Sequence, residues 1–415
     1  MGKTKIVATF GPASQSPRVI ESMVKEGVDC ARINLSHGSR ESHRELIKNL
    51  KKARNRYQIP LSIIADTKGP EVRLKPVESN SIDLEEGSRV HLVTEDKGYR
   101  PSFLVDFSGL AEMLEKGDEV IIGDGNLSLV VEKISGDGIE CRAKSSGSVS
   151  GRQRITIPGT SFPLPPITDQ DKEDIRFAVS EGVDWLALSF VKGVEEIRKV
   201  RELIRDAGGE DLPVIAKIET VEAVDNIEII AREADGLMVA RGDLAIAIGM
   251  EEVPFLQKRI IRLANRLAKP VVTATQMLET MIKAPTPTRA EITDVANAVL
   301  DGTDAVMLSG ETAIGAYPSQ TVATMEKIAK KADANFSPVY NLEKGSEEEE
   351  SEIAPEIGRA ACSMAERLGT QAIITSTRSG YTGRLVSRFR PKVQIIAVTP
   401  SEVVYNQLAL VWGIN

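Results

Sequence analysis

Three cysteines in 415 residues are too few, and too scattered, to build a disulfide framework or a metal cage: Cys30, Cys141 and Cys362 share none of the short spacings that ligand pairs need. They read as reduced structural thiols of a cytoplasmic protein. Apolar runs are short as well. None approaches the ~18 residues of a membrane span, and Met1-Gly2-Lys3-Thr4-Lys5 enters a strand-like run too soon to leave room for a signal peptide. Positive charge is not in excess. The 52 Lys and Arg against 60 Asp and Glu leave a net charge of -8 and a pI near 5.3. That balance argues against non-specific nucleic-acid binding while still allowing a local basic pocket for phosphates. No glycine-rich dinucleotide fingerprint follows the first strand-like run, which counts against an open doubly wound sheet.

What the chain does have is a series of short aliphatic runs, at residues 5–10, 30–35, 62–66, 185–190, 214–219, 236–241, 271–276 and 305–309. Strands that are apolar almost throughout are those covered on both faces, as in a parallel sheet wrapped in helices. Helix signals separate the runs. Ser16 followed by Pro17 marks an N-cap with proline at the first helical position, Thr168 and Asp171 resemble a capping box, and Val253, Leu256, Ile260, Leu263 and Leu267 recur at helical spacing. Gly27, Gly182 and Gly302 each sit in an acidic-Gly-x-Asp echo between a helix and the next run, where glycine ends a helix in the left-handed conformation. The length allows two or three domains. The pattern predicts an α/β fold, a (β/α)8 TIM barrel over residues 1–68 and 164–337, interrupted after its third strand.

The interruption, residues 69–163, has short β-rich runs at 89–94, 119–122, 127–134 and 139–143, with Asp124-Gly125 as a tight turn. We expect a small all-β domain, a β-barrel lid leaving from the mouth end of a strand; a passive insertion is the plain alternative. Ser337-Pro338 and Gly345-Ser346, followed by the acidic residues 347–350, read as a solvated linker. Residues 350–415 then predict a short C-terminal α/β domain: a helix over 352–368, a strand at 372–375, another helix and a strand at 394–398.

Polar side chains gather where the later runs end: Lys217 and Glu219, Arg241 and Asp243, Thr275 and Gln276, Ser309 and Glu311. A parallel barrel brings those ends around one cavity. Residues two apart in a strand share a side, so Lys217 and Glu219 both face the barrel axis. Glu219 and Asp243 would supply oxygen ligands for Mg2+, with water and substrate completing the shell. Lys217 would then be a point charge for an anion, and Arg32 and Arg73 add forked phosphate donors. The set describes a phosphoryl-transfer site. Each member also has a plainer account: Lys217 with Glu219 as a structural ion pair, Asp243 as a helix cap, Thr275 and Ser309 as satisfied strand ends, Gln276 and Met277 as packing residues.

Seven segments, in order, resemble the pyruvate kinase family: TKIVATFGPAS at 4–14, ARINLSHG at 31–38, DTKGPEVR at 66–73, AKIE at 216–219, MVARGDL at 238–244, TATQMLE at 273–279 and MLSGET at 307–312. The resemblance implies transfer of the phosphoryl group of phosphoenolpyruvate to ADP, giving pyruvate and ATP. It implies that Arg32 and Lys217 hold the moving group, that Glu219 and Asp243 bind Mg2+ or Mn2+, and that a second divalent ion arrives with the nucleotide. By the same similarity, backbone amides around Gly242 and Asp243, with the Thr275 hydroxyl, orient the substrate carboxylate, and Arg73 approaches the ADP phosphates. Asn34, Ser36, Asp66 and the Thr67 carbonyl match the enclosure of a monovalent cation, and Glu71 matches the K+-dependent members, where K+-independent ones carry lysine.

Two departures stand out. Leu35 replaces the aromatic residue common before the Ser-His-Gly segment, and the family continues with further strands past the position of Leu410-Val411-Trp412-Gly413. The loop Thr375-Ser376-Thr377-Arg378-Ser379-Gly380 resembles one that binds a phosphorylated effector in many members. Family members form tetramers, so a homo-oligomer is expected, weakened where the C-terminal domain is short. Two rival readings are a Schiff-base lyase using Lys217 as nucleophile and a non-catalytic barrel that binds phospholigands.

Overall fold

Eight parallel strands close on one another in the computed structural model, which describes residues 2–76, 81–96, 98–123, 125, 127–136, 138–160, 162–336 and 353–415. They are β1 (Lys5–Thr9), β2 (Cys30–Asn34), β3 (Ser62–Asp66), β4 (Trp185–Leu188), β5 (Val214–Ile218), β6 (Gly236–Ala240), β7 (Val271–Ala274) and β8 (Ala305–Leu308). Each pairs with its neighbour in the chain order, and β8 returns to β1 with Lys5 opposite Ala305. They fall on the eight aliphatic runs and stop up to two residues sooner, because the last residues of each run turn out of the ladder.

Alternation sorts each strand into two faces. Outward residues such as Ile6, Ala31, Ile63, Leu186, Val214 and Leu237 join the apolar layer under the surrounding helices. Inward residues Val7, Cys30, Ile64, Trp185, Ile215, Met238, Val272 and Met307 fill the barrel as a separate core. The same parity carries Thr9, Arg32, Asp66 and Lys217 to the inner face one layer nearer the mouth.

The helix signals are realised. Ser16 accepts a hydrogen bond from the Val19 amide at the start of Pro17–Glu26, and Thr168 and Asp171 form a reciprocal capping box before Asp169–Ser180. Helix Val253–Arg266 buries Val253, Ile260 and Leu263 against the barrel. Gly27, Gly182 and Gly302 all have positive φ, between 57° and 115°.

The insertion is a seven-stranded sheet in the order Val72–Arg73, Arg154–Thr156, Glu119–Ile122, Leu127–Ser135, Gly138–Ala143, Arg89–Val93 and Ser102–Leu104. Its two edges meet through a bridge between Leu74 and Val105, so the sheet wraps around its own core of Val90, Leu92, Phe103, Val120 and Leu129. The strands at 72–73, 102–104 and 154–156 are too short to show a period in sequence. Of the expected turn, Asp124 lies outside the described residues, as does the linker of Ser337, Pro338, Gly345, Ser346 and residues 347–350.

Two parallel strands, Ala372–Ser376 and Gln394–Val398, and helices Ile353–Leu368, Tyr381–Ser387 and Glu402–Gln407 form the C-terminal unit. It closes the bottom of the barrel. Ala409 and Leu410 enter the inner core, and Trp185 Nε1 donates to the Gln407 carbonyl at 3.2 Å. Among the described residues no helix is long and apolar enough to cross a membrane.

Candidate active site

At the barrel mouth a cavity of about 850 Å³ lies between the strand ends and the insertion, lined in part by Arg32, Asn34, Ser36, Asp66, Thr67, Arg73, Lys217 and Asp243. Asp66, at the end of β3, is its organising anion. Arg32 Nε stands 2.6 Å from Asp66 Oδ2, and Lys217 Nζ 3.4 Å from Asp66 Oδ1. Burial alone would raise this carboxyl; Arg32 and Lys217 outweigh it and hold the group below its ordinary value. Arg32 also donates to Thr9 Oγ1 at 3.0 Å. Asp66 thus holds both cations at the wall of the cavity.

Lys217 and Glu219 follow the expected alternation. Their charged groups are 3.4 Å apart, and Lys217 donates to Ser189 Oγ at 2.6 Å. Burial works against the ammonium, but Asp66, Glu219 and Asp243 together raise its pKa above the ordinary lysine value. A Schiff-base lysine needs the opposite shift, so the lyase reading loses its chemistry here. Glu219 has the reverse problem. Buried and facing Asp243 as well as Lys217, its carboxyl is pushed up to about 7. Both shifts are upward because three carboxylates surround Lys217, whereas Glu219 is left short of positive charge.

That shortage is what a divalent ion would relieve. Glu219 Oε1 accepts from the Phe190 amide at 2.6 Å, while Oε2, the oxygen 3.4 Å from Lys217 Nζ, is buried and makes no hydrogen bond among the described residues. Among those residues no three His, Cys, Asp or Glu side chains form a metal cage. Glu219 and Asp243 fit Mg2+, which takes one or two carboxylates and fills its other positions with water and substrate oxygens.

Asp243 sits in the first turn of helix Arg241–Ile248, directly after β6. The neighbouring Gly242 amide donates to Thr275 Oγ1 at 2.9 Å, which ties this turn to the end of β7. Thr275 and Gln276 both have positive φ, 68° and 55°, so the chain leaves β7 through a strained bend. Gln276 is exposed.

The potential monovalent-cation residues are gathered as well. Ser36 donates its amide to Asn34 Oδ1 at 3.1 Å, and the Thr67 carbonyl accepts from Ser189 Oγ at 2.7 Å. Arg73 lines the cavity from the insertion and is held by Glu71 at 2.5 Å.

Two of the sequence-derived strand-end residues serve other purposes. Arg241 is buried and turned away, donating to the Ala274 and Thr275 carbonyls and pairing with Asp294 at 2.8 Å. Glu311 accepts from the Ser309 and Leu278 amides at 2.7 and 3.2 Å. Both satisfy loop backbone that leaves the ladder, which a spacing argument does not distinguish from a cavity-facing side chain.

Three residues at the site escaped the sequence reading. Ser189 and Phe190 follow β4, the run whose end had been given no role. Phe190 has φ 55°, and this left-handed bend aims its amide at Glu219. Arg154 arrives from the insertion to pair with Asp243. The structure therefore brings Arg32, Asp66, Lys217 and Glu219 into one ion-pair network, with Asp243, Thr275 and Arg73 around the same mouth.

Family models match most of the chain: one described as pyruvate kinase, barrel domain, over residues 1–322, and one described as pyruvate kinase, alpha/beta domain, over residues 355–415. Among curated relatives, the pyruvate kinase of Clostridium acetobutylicum is 39% identical over 419 aligned residues, covering all of this chain and 88% of that protein. Those of Staphylococcus saprophyticus and Bacillus licheniformis are each 42% identical, again across the whole chain and over 71% of their own length.

Proposed function

This chain belongs to the pyruvate kinase family, and from that premise we propose how its barrel mouth transfers the phosphoryl group of phosphoenolpyruvate to ADP, giving pyruvate and ATP. Its activity is that of a pyruvate kinase, a phosphotransferase of glycolysis. The observation that carries the assignment of roles is the Lys217 ammonium held 3.4 Å from both Asp66 and Glu219. A lysine so surrounded stays charged throughout the physiological range.

Lys217 and Arg32 bind the phosphoryl group from two sides and offset the negative charge that spreads over its oxygens during transfer. Asp66 positions both cations, and Arg32 keeps further donors for the phosphoryl oxygens. The backbone amides around Gly242 and Asp243, with the Thr275 hydroxyl, orient the carboxylate of phosphoenolpyruvate at the end of β7. Arg73 binds the ADP phosphates from the lid side, and the insertion excludes water, so the group moves to ADP and is not lost to hydrolysis. Glu219 and Asp243 would hold Mg2+, or Mn2+ in its place, which would supply positive charge to offset that of the phosphates. Asn34, Ser36, Asp66 and the Thr67 carbonyl would hold K+, and Glu71 lines the same cavity.

An acidic chain with this site acts on small phosphorylated substrates in the cytoplasm, away from nucleic acid and membrane, and assembles as a homo-oligomer. Coupled formation of pyruvate from phosphoenolpyruvate and ADP, with Mg2+ present and K+ added or withheld, is the test. Turnover is expected with Mg2+, rising with K+, and falling at least about a thousandfold in Lys217→Met. Turnover left intact in that variant refutes the role given to the lysine.

A further inference from the structure

Arg154 stands in the wall between two spaces at the barrel mouth. Glu71, Arg154, Phe190 and Asp243 line both the large cavity and a smaller chamber of about 80 Å³ beside it, whereas Lys217 opens onto the first and Glu219 onto the second. The guanidinium comes from the insertion strand Arg154–Thr156 and crosses to the barrel to pair with Asp243. It lies 3.9 Å from Glu71 Oε1 and 5.9 Å from the centre of the Phe190 ring. Burial disfavours its charge, but Asp243, Glu71 and Glu219 more than compensate. Nε is buried without a hydrogen-bond partner among the described residues, so the five-donor fork is not fully used where it rests.

A guanidinium held by Asp243 and lining one chamber with Glu219 occupies the charge position that a divalent ion would take between those two carboxylates. One cation must yield for the other to bind. The displaced arginine then has a nearby place to go. Arg73 is its direct partner in the sheet register and lines the same large cavity, so two arginines of the insertion face the space assigned to the nucleotide phosphates.

We propose that Arg154 is an exchangeable counter-ion carried by the lid: it neutralises Asp243 in the metal-free protein, yields that carboxylate to the divalent ion, and then binds the phosphates of the nucleoside diphosphate beside Arg73. This rests on the reading of Glu219 and Asp243 as ion ligands. It makes Arg154 a binding residue that links occupancy of the ion site to the seating of the insertion over its substrate.

Mn2+ binding to the full chain without nucleotide, followed by the electron paramagnetic resonance of the free ion, tests the exchange. Arg154→Gln is expected to bind Mn2+ about tenfold more tightly than the unaltered protein, since its competitor is gone, and to bind ADP in the presence of Mn2+ about tenfold more weakly. Arg154→Lys, charged but shorter and unforked, is expected to gain about threefold in Mn2+ affinity. It carries the comparison if the glutamine variant does not fold. Asp243→Asn is expected to abolish the tight Mn2+ site. Unchanged or weaker Mn2+ binding in the Arg154 variants, with the site still lost in Asp243→Asn, overturns the counter-ion role and leaves the ion-ligand reading intact. Tight Mn2+ binding that survives Asp243→Asn removes that reading and the proposal with it.

Discussion

Arg390 and Asp304 meet fork to carboxylate across the junction between the C-terminal unit and the barrel, Nη1 to Oδ1 and Nη2 to Oδ2 both at 3.0 Å. Arg390 is 1% exposed and also donates to Asn265 Oδ1 at 2.6 Å and the Gly302 carbonyl at 2.8 Å. Asp304 in turn accepts the Trp412 amide at 3.0 Å, so one buried pair joins β8 to the end of the last unit. Removing one partner strands the other's charge. Arg390→Met is therefore expected to cost about 3–5 kcal/mol in chemical denaturation. Because the two residues act together, adding Asp304→Asn should cost far less than the sum of the single changes. Additive losses would show that the pair is not a unit.

The barrel and much of its mouth were legible because period-two alternation makes a strong claim. Once 214–219 is read as a strand, Lys217 and Glu219 share a side, and Arg32 and Asp66 follow from the same parity in β2 and β3. Arg154 and Phe190 were not legible. The first acts through a contact between two domains far apart in sequence, and the second through a left-handed backbone that no side-chain pattern announces. Arg241 and Glu311 were misread for a related reason: a polar residue at a strand end either faces the cavity or turns back to bind the loop, and its spacing is the same in both cases.

Gly69 marks where the chain leaves β3 for the insertion, and it has φ 73°. A Cβ there would lie 2.7 Å from the Phe190 ring and 2.9 Å from Ser189 Cβ, closer than real contacts allow. Gly69→Ala therefore pushes on the two residues that bind Glu219 and Lys217. Stability should fall by at least about 1–2 kcal/mol from the backbone conformation alone. Activity should fall further than the loss of folded protein explains, as measured by turnover per folded molecule. A variant with full specific activity would show that the hinge and the site are independent.

Asp184, which precedes β4, is 4% exposed, pairs with Arg54 at 3.0 Å and accepts the Ile63 amide at 2.8 Å. Burial dominates, and its carboxyl is pushed up to about 6 from an ordinary value of 3.8. The folded state holds this proton more tightly than the unfolded chain does. The associated stability is therefore fully present below pH 3.8 and is lost as pH rises toward 6, a difference of about 3 kcal/mol. Asp184→Asn removes that titration. Its unfolding free energy, measured in urea from pH 4 to pH 7, should rise more with pH than that of the unaltered protein, and identical slopes would rule out the shift.

Glu71 sits where the residues proposed to hold a monovalent cation and the arginines of the insertion come together. It accepts from Arg73 Nε at 2.8 Å and Nη2 at 2.5 Å, lies 3.9 Å from Arg154, and lines the cavity that also holds Asn34, Ser36 and Asp66. If K+ acts there by supplying one positive charge, an ammonium at the same place should do part of its work, as the lysine of K+-independent family members suggests. Glu71→Lys is then expected to raise turnover without K+ and to shrink stimulation by K+ to less than about twofold. The same change frees Arg73 and repels it, so KM for ADP should rise while KM for phosphoenolpyruvate changes little. Steady-state rates in K+ and in tetramethylammonium separate the two effects. Undiminished K+ stimulation in the lysine variant would place the cation's action elsewhere in the protein.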